Sequence, residues 1–468
     1  MNGPVLAVDL GTSSLRVAIV DRDESIVQLV QHGYERNNRA VGGTFAAEPL
    51  ADLLRRSLRE LDTTGVRRVA VSALWHTVLG VDALDRPLTQ TYTWESTSPS
   101  AGLKGLGRLI EEDDYRGRTG SYLHASYPLA AIWWIRQHAD CSVRYTDLPS
   151  WLLRQVLGAG CGWSDQIAAG SGLWNQQLRT WDAGTCAAIG LDPEMLGQTW
   201  SDPVVLTGVE AAEYGLEGAE LLPVLSDGVC DNLGLGVVGD GAAALTSGTS
   251  GSVRLLLDAV PTSVPHGLWR YRIGETRTAI GGANSNLGNL LEWIRTALGV
   301  DDPLRFGSDD PPAFDGLLAS PHLFGERGPG YGPDATAALL GLRPHHTARD
   351  IAAAFVLATL ATTRELALKV YEVAPDIDAL IASGGVVSGA PGFAQLLADA
   401  VGRPVQVTEL TEASLRGAGR AALDLMPARA RTSQVIPPRP RWTAAIERRL
   451  AEAQAQSRLG TPAVLRGS

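Results

Sequence analysis

A loop reading Gly-Thr-Ser-Ser, at Gly11 to Ser14, returns as Gly-Thr-Ser-Gly at Gly248 to Gly251. Each copy lies between two apolar runs: VLAVDL and LRVAIV flank the first, AAALTS and SVRLLL the second. Apolar stretches joined by a tight Gly/Ser/Thr loop read as β-hairpins. Such loops turn backbone N–H groups and hydroxyls outward and can wrap an anion such as phosphate. Two matching hairpins in the two halves of one chain point to a duplicated fold closing on a single polyphosphate.

The length, 468 residues, suits two larger domains at about 100–200 residues each. A hydrophobic share of 45% against 19% charged is enough to bury a sizeable core. With 40 basic and 51 acidic residues the net charge is −11, which recommends neither nucleic acid nor an acidic membrane as partner. An anionic ligand must therefore be held by local donors. The four cysteines, Cys141, Cys161, Cys186 and Cys230, lack metal-site spacing and suit a reducing compartment. The N-terminus meets Asp9 after a very short apolar stretch, which does not read as a signal peptide. No apolar run approaches the roughly 18 residues of a membrane span, so a soluble cytoplasmic protein is expected.

Strands are expected at 5–10, 15–21, 26–31, 68–72, 242–247, 252–257 and 379–383. Helices are expected at 50–61, 129–138, 148–157, 289–298, 348–373 and 392–401. Hairpins first, then strands alternating with helices, predict a mixed α/β sheet in each half. The halves divide near Val237 to Ala242, giving an N-terminal domain over 1–238 and a C-terminal domain over 239–427. Residues 428–468, rich in Arg, Pro, Ala and Gln, read as a tail whose end is disordered.

Asp9 ends the first strand, immediately before the loop. It either holds Mg²⁺ beside bound phosphates or bonds its own turn. Arg16 either reaches back to phosphate or lies on a solvated face. Asp227, in PVLSDGVCDNLG, stands between an apolar strand and small residues near the junction, a place suited to a general base. Asp231 is its local competitor, and either carboxylate can instead cap a helix. The Gly-rich turn at Ser383 to Gly385 allows close approach of a flat ligand such as a nucleobase, or is a packing solution. Gly288 carries the same two readings. Trp75 and His76 either line a polyol site or are core residues, and Trp94 is treated alike. The His345–His346 pair lacks acidic or Cys partners and reads as structural.

In order and spacing, several strings resemble the FGGY family of carbohydrate kinases, within the actin/hexokinase-like ATPases. They include DLGTSSLR from Asp9, RTGSYLHASYPLAAIWW around Arg118, SDGVCDNLG from Ser226 and GTSGSVR from Gly248. GGANSNLGNLLEW from Gly281, GERGPG from Gly325, GLRPHHTARDI from Gly341 and ASGGVVSGAPGFAQLLADAVGRPV from Ala382 continue the set, so the resemblance spans about Val5 to Leu423.

The resemblance implies two ribonuclease H-like domains with ATP and a sugar in the cleft between them. Gly11, Thr12, Ser13 and Ser14, with Arg16, form the first phosphate site; Gly248, Thr249 and Ser250 form the second. Gly384, Gly385 and Ser388, with Gly288 nearby, hold the adenosine. Asp9 is implied as the Mg²⁺-associated acid and Asp227 as the base, with Trp75, His76, Trp94 and Ser126 facing the sugar. Within the family the strings WHTVLGVD, LHASYP and GERGP are gluconate kinase-like, with a xylulose or other pentulose or polyol kinase as the alternative. From another class stands a catalytically impaired nucleotide- and sugar-binding regulator. A homodimer is the usual arrangement of such enzymes. The family's W-x-D-x-R pattern reads here Trp94-Glu95-Ser96-Thr97-Ser98, so a charged wall near the sugar is absent. Losing that Arg removes a donor for a sugar acid. Ser388 stands where many members carry Asn.

Overall fold

The computed structural model describes residues 3–34, 39–40, 43–138, 144–304, 316–332, 334–390, 392–425 and 432–459. Its framework is two seven-stranded sheets that repeat one motif. In the first, β1 (Val5–Leu10) pairs antiparallel with β2 (Ser14–Val20), and β2 with β3 (Ile26–Gly33). On its other side β1 runs parallel to β4 (Arg68–Ala73). Three short strands, β5 (Val204–Val205), β6 (Glu220–Leu221) and β7 (Leu225–Ser226), complete this sheet in the order β5-β6-β4-β1-β2-β3, with β7 also against β4.

The second sheet repeats the pattern. β8 (Ala242–Ser247) and β9 (Gly251–Leu257) form the hairpin; β10 (Trp269–Ile273) and β11 (Arg277–Asn284) follow antiparallel. β12 (Ala379–Ser383) lies parallel to β8, beside β13 (Val405–Thr408) and β14 (Thr432–Ile436). Both Gly-Thr-Ser loops thus sit at the same corner of equivalent sheets.

Alternation along β1 explains how the first sheet carries helices on both faces. Leu6, Val8 and Leu10 point into the larger core, while Val5 and Ala7 join Ala18, Val20 and Ala70 on the opposite face. The small residues of that second face admit two helices at close range. One is α4 (Asp227–Leu235); α1 (Glu48–Arg59), α2 (Pro128–His138) and α3 (Leu148–Leu157) precede it. Its neighbour, α9 (Ala413–Ala422), comes from the second half of the chain, yet packs Leu415 and Ala418 against the first sheet. The two helices cross where glycines remove the obstacle: a Cβ on Gly417 would lie 1.8 Å from the Cys230 carbonyl oxygen, and one on Gly234 2.0 Å from that of Ala413.

The second core is built on α5 (Gly288–Leu298), α6 (Ala348–Val373), the short α7 (Gly385–Gly389) and α8 (Phe393–Val401). α6 corrects one expectation, for its length and composition would suffice to cross a membrane. Its buried residues, among them Phe355, Leu360, Leu366 and Val370, pack instead into this core. A capping box between Thr347 and Asp350 begins it.

The expected elements coincide with the observed ones to within two residues at most ends. The segment after Pro427 differs more. Residues 432–436 form the outermost strand β14, and α10 (Pro440–Leu459) buries Trp442 and Ile446 in the second core. Arg439 pairs at 2.7 Å with Asp399, which has no exposed surface. The chain end expected to be disordered, 460–468, lies outside the described residues, as does Cys141; Cys161, Cys186 and Cys230 are buried free thiols.

Candidate active site

The first loop is closed by the Gly11 N–H, which donates to the Ser14 carbonyl at 3.0 Å; in the second, the Gly248 N–H donates to Ser250 at 3.0 Å. Ser14 is buried at the start of β2, so the tips presented outward are Thr12 with Ser13 and Thr249 with Ser250. The second loop is braced by α5, whose Gly288 and Asn289 N–H groups donate to the Gly248 and Thr249 carbonyls, both at 3.1 Å. That close seat requires Gly288, because a Cβ there would lie 2.5 Å from the Gly248 oxygen.

Behind the same loop, Gly384 adopts φ +101° and a Cβ on it would lie 2.4 Å from the Ser247 carbonyl oxygen. The Ser247 hydroxyl donates to the Ser383 carbonyl at 2.8 Å and accepts from the Val387 N–H at 3.1 Å. The structure therefore joins Gly248, Gly288, Gly384 and Gly385 into one surface. Ser388 is exposed on α7 and its hydroxyl donates back to the Gly384 carbonyl.

Three carboxylates collect beneath the loops. Asp9 is almost fully buried; one of its oxygens accepts from Ser72 at 2.7 Å, the other from Arg16 and Ser414, both at 3.0 Å. Arg16 extends on to Glu412 at 2.9 Å, so it bridges β1 to the start of α9 rather than reaching the loop tip. Asp231 is ion-paired with Arg254 at 2.9 Å and accepts from Thr246 at 3.1 Å. Asp227 makes no ion pair among the described residues; its one hydrogen bond there accepts from the Gly228 N–H at 2.7 Å.

The helix cap at this point is Ser226, whose hydroxyl accepts from Val229 at 3.1 Å, so capping does not explain either aspartate. Burial pushes the Asp227 carboxyl up to about 7, reinforced by the charges of Asp231 and Asp9 and opposed by Arg254. Burial raises Asp231 too, with Arg254 pulling it back.

Across the cleft, a cavity of about 580 Å³ is lined from the first half by Trp94, Glu95, His124 and Ser126, and from the second by Thr249 and Arg327. The structure thus brings Trp94 and Ser126 to the same space as the second Gly-Thr-Ser loop. Trp75 is nearly buried and donates to the Gln166 carbonyl at 3.1 Å, with its ring edge-on to Trp269 and Tyr271. His76 sits at φ +62° beside Tyr127, and its Nδ1 lies 2.7 Å from the Gly170 carbonyl. Donation from Nδ1 leaves Nε2 as an acceptor, and burial lowers the imidazole to about 3, so it is neutral at physiological pH.

Two further side chains line this space, and neither stands out in the sequence on its own. His124 has its Nδ1 2.9 Å from the Ser126 hydroxyl, and burial lowers it to about 4. Arg327, in the GERGPG string, lies with its guanidinium 4.2 Å from the Trp94 ring centre. Both strings were visible, but only the fold sets them face to face. Ser96 also lines this cavity, with its hydroxyl accepting from the Thr93 N–H at 2.8 Å and donating to the Gly43 carbonyl at 2.9 Å. Among the described residues no group of three or more His, Cys, Asp or Glu forms a metal cluster.

A cleft between duplicated sheets, each contributing a Gly-Thr-Ser loop, is the architecture of a phosphotransferase. Residues 4–226 match the N-terminal domain model of the FGGY family of carbohydrate kinases, and 243–423 match its C-terminal domain model. The chain belongs to the FGGY family and is an ATP-dependent carbohydrate kinase. It is 24% identical to a gluconokinase of Bacillus subtilis over 89% of this chain and 86% of the relative. It is 26% identical to a glycerol kinase of Nocardia farcinica over 77% of both. Its fold is similar to a gluconate kinase of Lactobacillus acidophilus, with TM-score 0.86 and 20% identity over 97% and 98% of the two chains. A Plasmodium falciparum glycerol kinase solved with ADP aligns at TM-score 0.81 and 17% identity, over 98% of each.

Proposed function

We propose that this kinase transfers the γ-phosphoryl group of ATP to a hydroxyl of a small sugar acid of the gluconate type, with Asp227 as general base. The observation that carries the base assignment is charge pairing: among the described residues Asp9 and Asp231 each hold an arginine, and Asp227 holds none. A carboxylate raised to about 7 is poised to accept a hydroxyl proton near neutrality. The gluconokinase relatives support the sugar class.

The tips at Thr12 and Ser13, and at Thr249 and Ser250, supply donors to the phosphates from both sides. Adenosine lies on the surface of Gly384 and Gly385, with Ser388 at its edge. Trp94, Ser126 and His76 orient the sugar, while Trp75 acts behind them as packing. Asp227 takes the proton of the attacking oxygen as the phosphoryl group moves in line.

Mg²⁺ suits this chemistry, since three neighbouring carboxylates with two arginines leave an excess of negative charge. Asp9, with both oxygens already accepting, and Asp227 would hold the ion through its waters. When bound, the ion spreads charge developing on the phosphates. The two units divide near residues 238 and 239, and closure about Gly236 and Gly239 excludes water.

The second reading, a neutral pentulose or polyol, is favoured by Ser96 and Ser98 in the Trp94 segment. ADP release measured against gluconate, xylulose, ribulose, erythritol and glycerol tests both. ATP turnover with none of these sugars would remove the proposal.

A further inference from the structure

The Trp94 segment lacks the arginine of its family pattern, yet the cleft is not without a cation. Arg327 enters from the second half of the chain and holds its guanidinium over Trp94, 4.2 Å from the ring centre. Its Nε donates to the Ser285 hydroxyl at 3.1 Å, fixing the plane of the fork. Ser285 and Trp94 line the same cavity as Arg327. Among the described residues Arg327 has no ion pair; Glu95 and Asp227 act on it only through space. The neighbouring imidazoles of His76 and His124 are held neutral by burial and bring no second positive charge.

A guanidinium with one nitrogen anchored, one face over an aromatic ring and, among the described residues, no carboxylate partner is organised to take a planar anion through its two terminal nitrogens. Arg327 is half-buried, so an anion that reaches it meets a partly desolvated charge.

Resting on the kinase reading above, we infer that Arg327 binds the carboxylate of an acyclic sugar acid, stacked on Trp94, and so places a distal hydroxyl at Asp227. The specificity lost at Ser98 is thereby restored from the other domain. Substrate then bridges the two halves, tying the Arg327 loop to the Trp94 wall as the cleft fills.

The test pairs two probes, D-gluconate and its neutral counterpart D-gluconamide, with the full-length wild type and Arg327→Gln. Wild type is expected to show a KM about 10- to 100-fold lower for the acid, the range of one charge-assisted fork. In Arg327→Gln that preference collapses to within about threefold, with ADP affinity unchanged as the check on folding. The wild-type comparison stands even if the variant does not fold. Equal wild-type KM values, or a preference that survives in the variant, would overturn the inference. If neither probe is phosphorylated but xylulose is, the inference falls and the kinase reading remains. If no sugar releases ADP, both fall.

Discussion

Arg254 reaches from β9 to Asp231 at 2.9 Å, and Asp227, one helical turn earlier, accepts among the described residues only from the Gly228 N–H. Two aspartates that look interchangeable in the string SDGVCDN are thus given different work. One neutralises a nearly buried arginine; the other, half-buried at the start of α4, has no ion-pair partner among the described residues.

Replacing Asp227 with Asn should lower kcat by about 10³-fold, within the usual range for a lost general base, with ADP affinity nearly unchanged. Asp231→Asn should behave oppositely. It strands the Arg254 charge, costing about 3 kcal/mol of stability, while turnover of the folded enzyme persists. Steady-state kinetics and thermal unfolding of both variants separate the roles. Turnover lost in Asp231→Asn but kept in Asp227→Asn would reverse the assignment.

The pH profile follows from the Asp227 carboxyl at about 7. kcat/KM should fall tenfold per unit below that value, as the base becomes protonated. Removing the like charge in Asp231→Asn should move this limb to lower pH. Stability carries the opposite sign. The folded state holds the Asp227 proton more tightly than the unfolded chain, so its contribution favours folding at low pH and is lost as pH rises through 7. Asp227→Asn should therefore raise the melting temperature at pH 8 and change it little at pH 4.

Local pattern is enough for the strands, because the short apolar runs of Val5–Leu10 and Ala242–Ser247, each bounded by turn residues, mark buried strands directly. It also marks both Gly-Thr-Ser loops as hairpin turns. What it could not supply was pairing across the chain. Asp9 accepts from Ser414, 405 positions away, and Arg16 pairs with Glu412 at 2.9 Å. Arg327 on Trp94 belongs to the same class, a contact made by two loops from different sheets. The segment after Pro427 is less legible, because its Arg- and Pro-rich composition masks its pattern: TSQVI is strand-like, and Trp442 and Ile446 stand four apart on one helix face.

Gly384→Ala should separate nucleotide from sugar recognition. The new Cβ would meet the Ser247 oxygen at 2.4 Å from a backbone at φ +101°, so the turn must shift. ATP affinity should drop by roughly tenfold, the weight of 1–2 kcal/mol of strain, with the sugar KM little changed. Titration calorimetry with ADP, alongside sugar kinetics at saturating ATP, checks this. An equal loss on both sides would mean that the turn supports the whole cleft.

Truncation after Pro427 should cost the second domain its fold. It strips β14 from β13, leaving an open sheet edge, and removes Trp442 and Ile446 from the core. It also leaves Asp399 buried without Arg439, a carboxylate whose remaining partner is Gln395 at 3.1 Å. Arg439→Ala isolates this last effect and should destabilise the protein by about 3 kcal/mol. The truncated chain should accumulate as aggregate, whereas Arg439→Ala should stay soluble with a lowered melting temperature. A truncated protein that remained monomeric and active would return residues 428–468 to the status of an appendage.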